Sequence, residues 1–323
     1  MATDVYENCK TPDAQWSVVT SAGPNATLAT VLAGFMLTAA IFLLRKDGAG
    51  ETPSVNDARI YFGGRDKIGL HTYTLALFGP GVLILGLDSY LFGHISAMAP
   101  ILNERHEMVS PTECGIAWTQ TLPASSMLAL GGCLMIAGLS WMLAQYFVSQ
   151  DEPSGAILKL PGLLSGVVIA ATSLLLVQTA NVYLDVMADS FHAPAACCVR
   201  SICQAAYFII PLVIICMAGI NARRFSMHVL AEKSRDGLDA APDLHLEQNF
   251  KYAARASFFT VLLAFLGPLF FGLVANRVGI NADGTPKLCT VYAATFLGLA
   301  PIAIMFLIAL ASPAAPPSTR VAT

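Results

Sequence analysis

Apolar residues along this chain come in seven blocks, each on the order of 20 residues or longer, with polar stretches between them. The blocks are Asn25–Leu44, Leu70–Ser96, Ile116–Val148, Ile157–Met187, Ile202–Ile220, Ala254–Val274 and Val291–Ala311. A helix of about 20 residues matches the roughly 30 Å hydrocarbon core of a bilayer. The pattern therefore predicts an all-α fold: a polytopic membrane protein built as a seven-transmembrane helical bundle. The third and fourth blocks exceed the minimum, which predicts tilt or ends that project from the membrane. Pro80, Pro123, Pro211, Pro268 and Pro301 fall inside blocks. Kinks are expected there, with neighbouring helices satisfying the carbonyls that each proline frees.

Composition removes the soluble alternative. Of 323 residues, 55% are hydrophobic and only 12% charged, against about 25% charged in ordinary soluble domains. The net charge of −3 comes without a basic block, so no nucleic acid partner is expected; the lipid bilayer is. The opening stretch "MATDVYENCKTPDAQW" is polar and lacks the basic segment of a cleavable signal. Neither end carries a lipidation motif.

Lysine and arginine set the direction. With the N-terminus outside, thirteen of the eighteen basic residues fall on the cytoplasmic side, and only Lys10, Arg105, Arg200, Arg277 and Lys287 fall outside. The positive-inside rule then places the N-terminus out and the C-terminus in. The expected organisation is an outer tail (1–24) and a transmembrane domain (25–311), followed by a disordered cytoplasmic tail (312–323). Outer loops fall at 97–115, 188–201 and 275–290, and the longest cytoplasmic loop at 221–253. The plasma membrane is the expected location.

The cysteines agree with this direction. Cys9, Cys114, Cys197, Cys198, Cys203 and Cys289 all fall on the outer side or just within its edge, and Cys133 and Cys216 lie inside spans. Outer compartments permit disulfides and the cytosol generally does not. At least two disulfides are expected among the six, and the sequence does not choose their pairing.

Self-comparison suggests a two-helix hairpin repeat. "ALFGPGVLILGLD" (Ala76–Asp88) and "AFLGPLFFGLVAN" (Ala264–Asn276) align without a gap, each carrying Gly-Pro and ending on a polar residue. Chance recurrence of glycine and proline in membrane helices is the competing explanation. A true repeat would run parallel, and repeat interfaces are where membrane proteins often bind ligands.

Asp88, in "LGLDSYLFGH", is the residue that apolar patterning does not explain. A charge at the centre of a spanning helix costs about 2.5–3.5 kcal/mol on insertion scales and less toward the interface. Asn181 and Asn276 fall at similar expected depths, and Gln178, Asp185, Gln120 and Gln204 also gather toward the outer half. Two accounts compete. In one, Asp88, Asn181 and Asn276 line an outward-facing polar pocket for a small solute or cation. In the other, Asp88 is a structural partner of Arg200 or Arg277, and the remaining groups make helix-to-helix hydrogen bonds.

Other chemistry finds no support. The six histidines lie at span edges or in loops and do not form facing pairs for haem, and "DSFH" (Asp189–His192) lacks a third zinc ligand. No C-x-x-C redox motif occurs. The last span has no lysine for a retinal Schiff base, and nucleotide loops and hydrolase motifs are missing. No cofactor, metal or catalytic constellation is expected. Three classes remain: a transporter or channel, a sensor or receptor, and a structural subunit with a membrane-protein partner. The direction is checked by cysteine scanning in a cysteine-free background. Cysteines introduced at Ser54 or Ser234 should resist an impermeant maleimide in intact cells, and labelling of either would reverse the assignment.

Overall fold

Ser17 opens the first helix. Its hydroxyl accepts the Thr20 N–H at 3.2 Å, an N-cap that satisfies one of the unpaired amides of the first turn. Helix α1 accordingly runs Val18–Gly48, starting about two turns before the expected Asn25. The computed structural model describes residues 9, 17–48, 59–62, 66–69, 71–98, 112–148, 155–189, 209–223, 227, 247–276, 279–281 and 286–311. After α1 come α2 (His71–Ser96), α3 (Thr112–Val148) and α4 (Gly155–Asp189). A shorter α5 (Ile209–Arg223) follows, then α6 (Glu247–Ala275) and α7 (Leu288–Ala311). An antiparallel hairpin of β1 (Arg59–Phe62) and β2 (Asp66–Gly69) sits between α1 and α2, with Arg59 opposite Gly69. With the single bridge between Ile280 and Pro286, it is the exception to the helices among the described residues.

Six of these helices are long and apolar enough to cross a membrane: Val18–Leu44, Thr74–Ser96, Thr112–Ala144, Lys159–Ala188, Phe250–Val274 and Leu288–Ala311. Helix α5 covers roughly 22 Å at 1.5 Å per residue, short of a bilayer core. The first half of the expected fifth span, 202–208, lies outside the described residues.

Helix α3 is the centre. It packs against α2, α4, α6 and α7, whereas α1 packs chiefly on α2. Along α2 the positions Thr74, Phe78, Gly81, Leu85, Asp88, Phe92 and Ile95 are all buried, at alternating spacings of four and three. The same spacing recurs in α3, where Ala117, Gln120, Ala124, Met127, Gly131, Leu134 and Gly138 are buried. These are facing seams of a coiled-coil-like contact. A Cβ on Gly138 would strike Phe78 and one on Gly131 would strike Leu85, so large residues of α2 sit over small ones of α3. The seven-residue step carries the same match to Phe92 and Ala124.

Contacts also fix direction. Phe78–Gly138 and Leu85–Gly131 make α2 antiparallel to α3, while Leu122–Gly298 and Trp141–Ala311 make α7 parallel to it. Met127–Gly267 and Gln120–Phe271 make α6 antiparallel to α3. Helix α5 finishes beside the start of α4, through Ala218 and Gly166, and beside the end of α7, where Asn221 donates to the Ala309 carbonyl at 3.4 Å.

One proline break is repaired between helices. Pro80 has no N–H to give the Ala76 carbonyl, and the Ser257 hydroxyl of α6, also 2.8 Å from its own Ala253 carbonyl, donates to Ala76 at 2.6 Å. Pro301 frees the Leu297 carbonyl in the same way, but the Ser126 hydroxyl 3.4 Å from it makes its short bond, at 2.6 Å, to Pro123 of its own helix. Removing a hydroxyl that serves a buried carbonyl should cost about 0.5–2 kcal/mol in a membrane bundle. Ser257→Ala should therefore lower thermal stability in detergent. The same change should cost less in a Pro80→Ala background, where the helix supplies its own donor. Equal losses in the two backgrounds would show that the Ser257 bond is not a repair.

Candidate functional site

Asp88 sits on the α2 seam, between Leu85 and Phe92, at a position where every neighbouring seam residue is buried. Helix geometry leaves it no freedom to point elsewhere: it is three residues beyond Leu85 and seven beyond Gly81, both of which face α3 or α1. The residue is 0% exposed, and both carboxyl oxygens lack a hydrogen-bond partner. Register places its surroundings. Gly81 meets Met36 of α1. The Ser89 hydroxyl shares a hydrogen bond with Thr30 at 2.6 Å and donates to the Ala26 carbonyl at 3.0 Å. Between those two contacts the α1 residue at the level of Asp88 is Ala29, itself fully buried. On the α3 side, Asp88 falls between the levels of Gly131 and Ala124.

Gln120 shares the α3 seam but lies about two turns further toward the end where α3 begins. Its amide N–H donates to the Phe271 carbonyl of α6 at 3.3 Å, and its Oε1 has no partner. Asn181 is half-buried on α4 with an unpartnered Oδ1, and Asp185 is half-buried one turn on. The Tyr183 side chain between them faces Thr119 of α3, without hydrogen-bond geometry at its buried hydroxyl. Helix α4 thus meets the opposite flank of α3 from α2, and α3 stands between Asp88 and Asn181. Gln178 is exposed on α4.

Asn276 is exposed just beyond the last turn of α6, where its N–H donates to the Gly272 carbonyl at 3.1 Å. The repeat alignment matched Asp88 to Asn276. In space Ser257 sits against Ala76, so the two aligned segments are staggered by about two turns. Asp88, Asn181 and Asn276 are therefore not brought together. Gln204, Arg200 and Arg277 lie outside the described residues.

Among the described residues one disulfide is present, Cys9–Cys114. It ties the segment before α1 to the first turn of α3, and the Trp118 indole one turn later donates to the Cys9 carbonyl at 3.1 Å. Cys289, a disulfide candidate from its outer placement, is instead a free, exposed thiol. Its place in the first turn of α7 turns its side chain outward, and Cys114 is already taken. Cys197, Cys198 and Cys203 lie outside the described residues. Among the described residues no three His, Cys, Asp or Glu side chains converge as a metal site.

Sequence reading missed Ala29, Tyr183 and Ser257. The usable signal was the heptad match of Phe78, Leu85 and Phe92 to Gly138, Gly131 and Ala124, which would have turned Asp88 inward. Compared with family models, curated proteins and solved structures, the chain matches none. The site has to be read from its own chemistry. Asp88→Asn replaces a carboxyl that has no protein partner among the described residues with a neutral isostere. It should leave thermal stability within a few degrees of wild type, because no buried cation is orphaned. Breaking a true buried ion pair costs about 3–5 kcal/mol. A loss of that size, restored by also replacing Arg200 or Arg277, would return Asp88 to a structural role.

Proposed function

We propose that this chain is a seven-span integral membrane protein, with the Cys9–Cys114 end outside, that binds or moves a small solute or cation at Asp88. Parity supports the seventh span. Helices α4 and α6 both run antiparallel to α3, judged from Tyr183–Thr119 and Met127–Gly267, so the chain between them has to return across the bundle. Helix α5 ends at the correct side for that crossing, and the apolar residues 202–208 supply the missing length. Orientation is supported by the thirteen-to-five division of basic residues. A disulfide at the proposed outer end agrees with it.

The observation that carries the binding reading is the Asp88 carboxyl, buried with neither oxygen satisfied. A carboxyl at this depth normally faces a partner, a water-filled cavity or a transported species. The structural-subunit alternative leaves it without a role. The test is thermal unfolding of purified wild type and Asp88→Asn across inorganic cations, amines, amino acids and sugars. A bound solute at 100-fold over its Kd stabilises by about 2.7 kcal/mol. At least one solute should raise the wild-type midpoint by several degrees and leave the variant unmoved. A panel to which both proteins respond alike would remove Asp88 from any binding role.

A further inference from the structure

We infer that the species held at Asp88 is an organic ammonium ion, an alkylamine with its own hydrocarbon, and that α1 forms the wall over it. This rests on the binding reading above and narrows it to one chemical class. The reasoning begins with ligand counting. Hard metal cations take several oxygen ligands, six to eight for calcium and near-octahedral geometry for magnesium, as a general rule of about that size. Asp88 offers two oxygens. Its neighbour Ser89 has committed its hydroxyl to Ala26 and Thr30 of α1. Gln120, the nearest other unsatisfied acceptor on the facing seam, lies about two turns away. An inorganic ion placed at Asp88 would be left largely unligated.

An alkylammonium has different needs. Its charge is met by one carboxylate through short charge-assisted hydrogen bonds, and its carbon chain requires apolar surroundings. At the level of Asp88 the register places apolar side chains: Leu85 and Phe92 one turn to either side on α2, Ala29 on α1 and Ala124 on α3. The carboxyl is closed off at present, so a ligand reaches it only if a wall moves. Helix α1 is the wall able to do so. It packs chiefly on α2, its apolar window is the least buried of the six long helices, and its contact there runs through Ala22, Ala29 and Met36, the last seated on Gly81.

Equilibrium binding of radiolabelled n-butylamine to the purified full chain in detergent tests this, with thermal unfolding in sodium, potassium and magnesium chloride run alongside. Saturable binding is expected in wild type and absent in Asp88→Asn. Competition by methyl-, ethyl-, propyl- and butylammonium should tighten roughly fourfold per methylene, and neutral 1-pentanol should not compete at equal concentration. Ala29→Leu overpacks a fully buried position and should lower the unfolding midpoint, as should Ala22→Leu two turns away on the same face; measured below both midpoints, only Ala29→Leu should lose at least tenfold in affinity. Unchanged binding in Ala29→Leu would take α1 out of the site and overturn that part of the inference. If butylamine shows no saturable binding while an inorganic cation stabilises wild type and not Asp88→Asn, the ammonium assignment falls and the binding reading stands. If no solute distinguishes wild type from Asp88→Asn, both fall.

Discussion

The seating of α2 side chains over the small residues of α3 is the contact on which the rest of the bundle depends. In lipid there is little hydrophobic drive for one apolar helix to choose another, so association relies on close packing and hydrogen bonds between helices. Gly131 and Gly138 allow Leu85 and Phe78 to approach the α3 backbone, and a Cβ on either glycine would occupy space those side chains now fill. That approach brings Thr74 within 3.4 Å of the Gly138 carbonyl. It also turns the whole α2 seam inward, Asp88 included. Gly267 beneath Met127 and Gly298 beneath Leu122 repeat the device for α6 and α7 on other faces of α3. The central helix is thus grooved or knobbed to suit each neighbour.

Most polar groups in these helices are satisfied without any function beyond the fold. Thr119, Thr121, Thr260 and Thr295 each donate to the carbonyl four residues back, at 2.7–2.8 Å. Such bonds hide a hydroxyl within its own helix. A second group works between helices. Ser257 serves a carbonyl freed by proline, while Trp141 and Asn221 reach the last turn of α7, whose carbonyls lack intrahelical donors. Against that background Asp88 differs in kind. It neither closes a local bond nor repairs a helix, yet it occupies a seam position that a leucine would fill with less cost. Its place there, buried with neither oxygen satisfied, is the physical reason for reading it as a site.

Six of the seven span positions were legible in the sequence because hydropathy averages over a whole helix, and the average is what lipid tests. Azimuth was not legible by the same route. Helices apolar on nearly every side give little signal about which face turns inward, so Gln178 and Asn181 looked equivalent, although one is exposed and the other half-buried. Axial register was lost for a related reason. Matching Gly-Pro to Gly-Pro assumed that equal sequence means equal depth, but Ser257 packs against Ala76 and displaces the two segments along the membrane normal. Helix starts were missed because caps such as Ser17 are polar and fall below any hydropathy threshold. Cysteine placement narrowed the disulfide candidates to one side of the membrane, and only the fold selected Cys9 with Cys114.

The disulfide and Asp88 belong to one arrangement. Helix α1 meets the bundle along a single flank, chiefly on α2, through Ala22, Ala29 and the fully buried Met36 seated on Gly81, with Ser89, Thr30 and Ala26 supplying a polar clasp. The chain leading into it is fixed to the first turn of α3 twice, covalently through Cys9–Cys114 and by the Trp118 indole on the Cys9 carbonyl. One end of α1 is thereby anchored to the most buried helix. For a solute to reach Asp88 in the proposed site, α1 has to turn about that tethered end and carry Ala29, three turns along, with it.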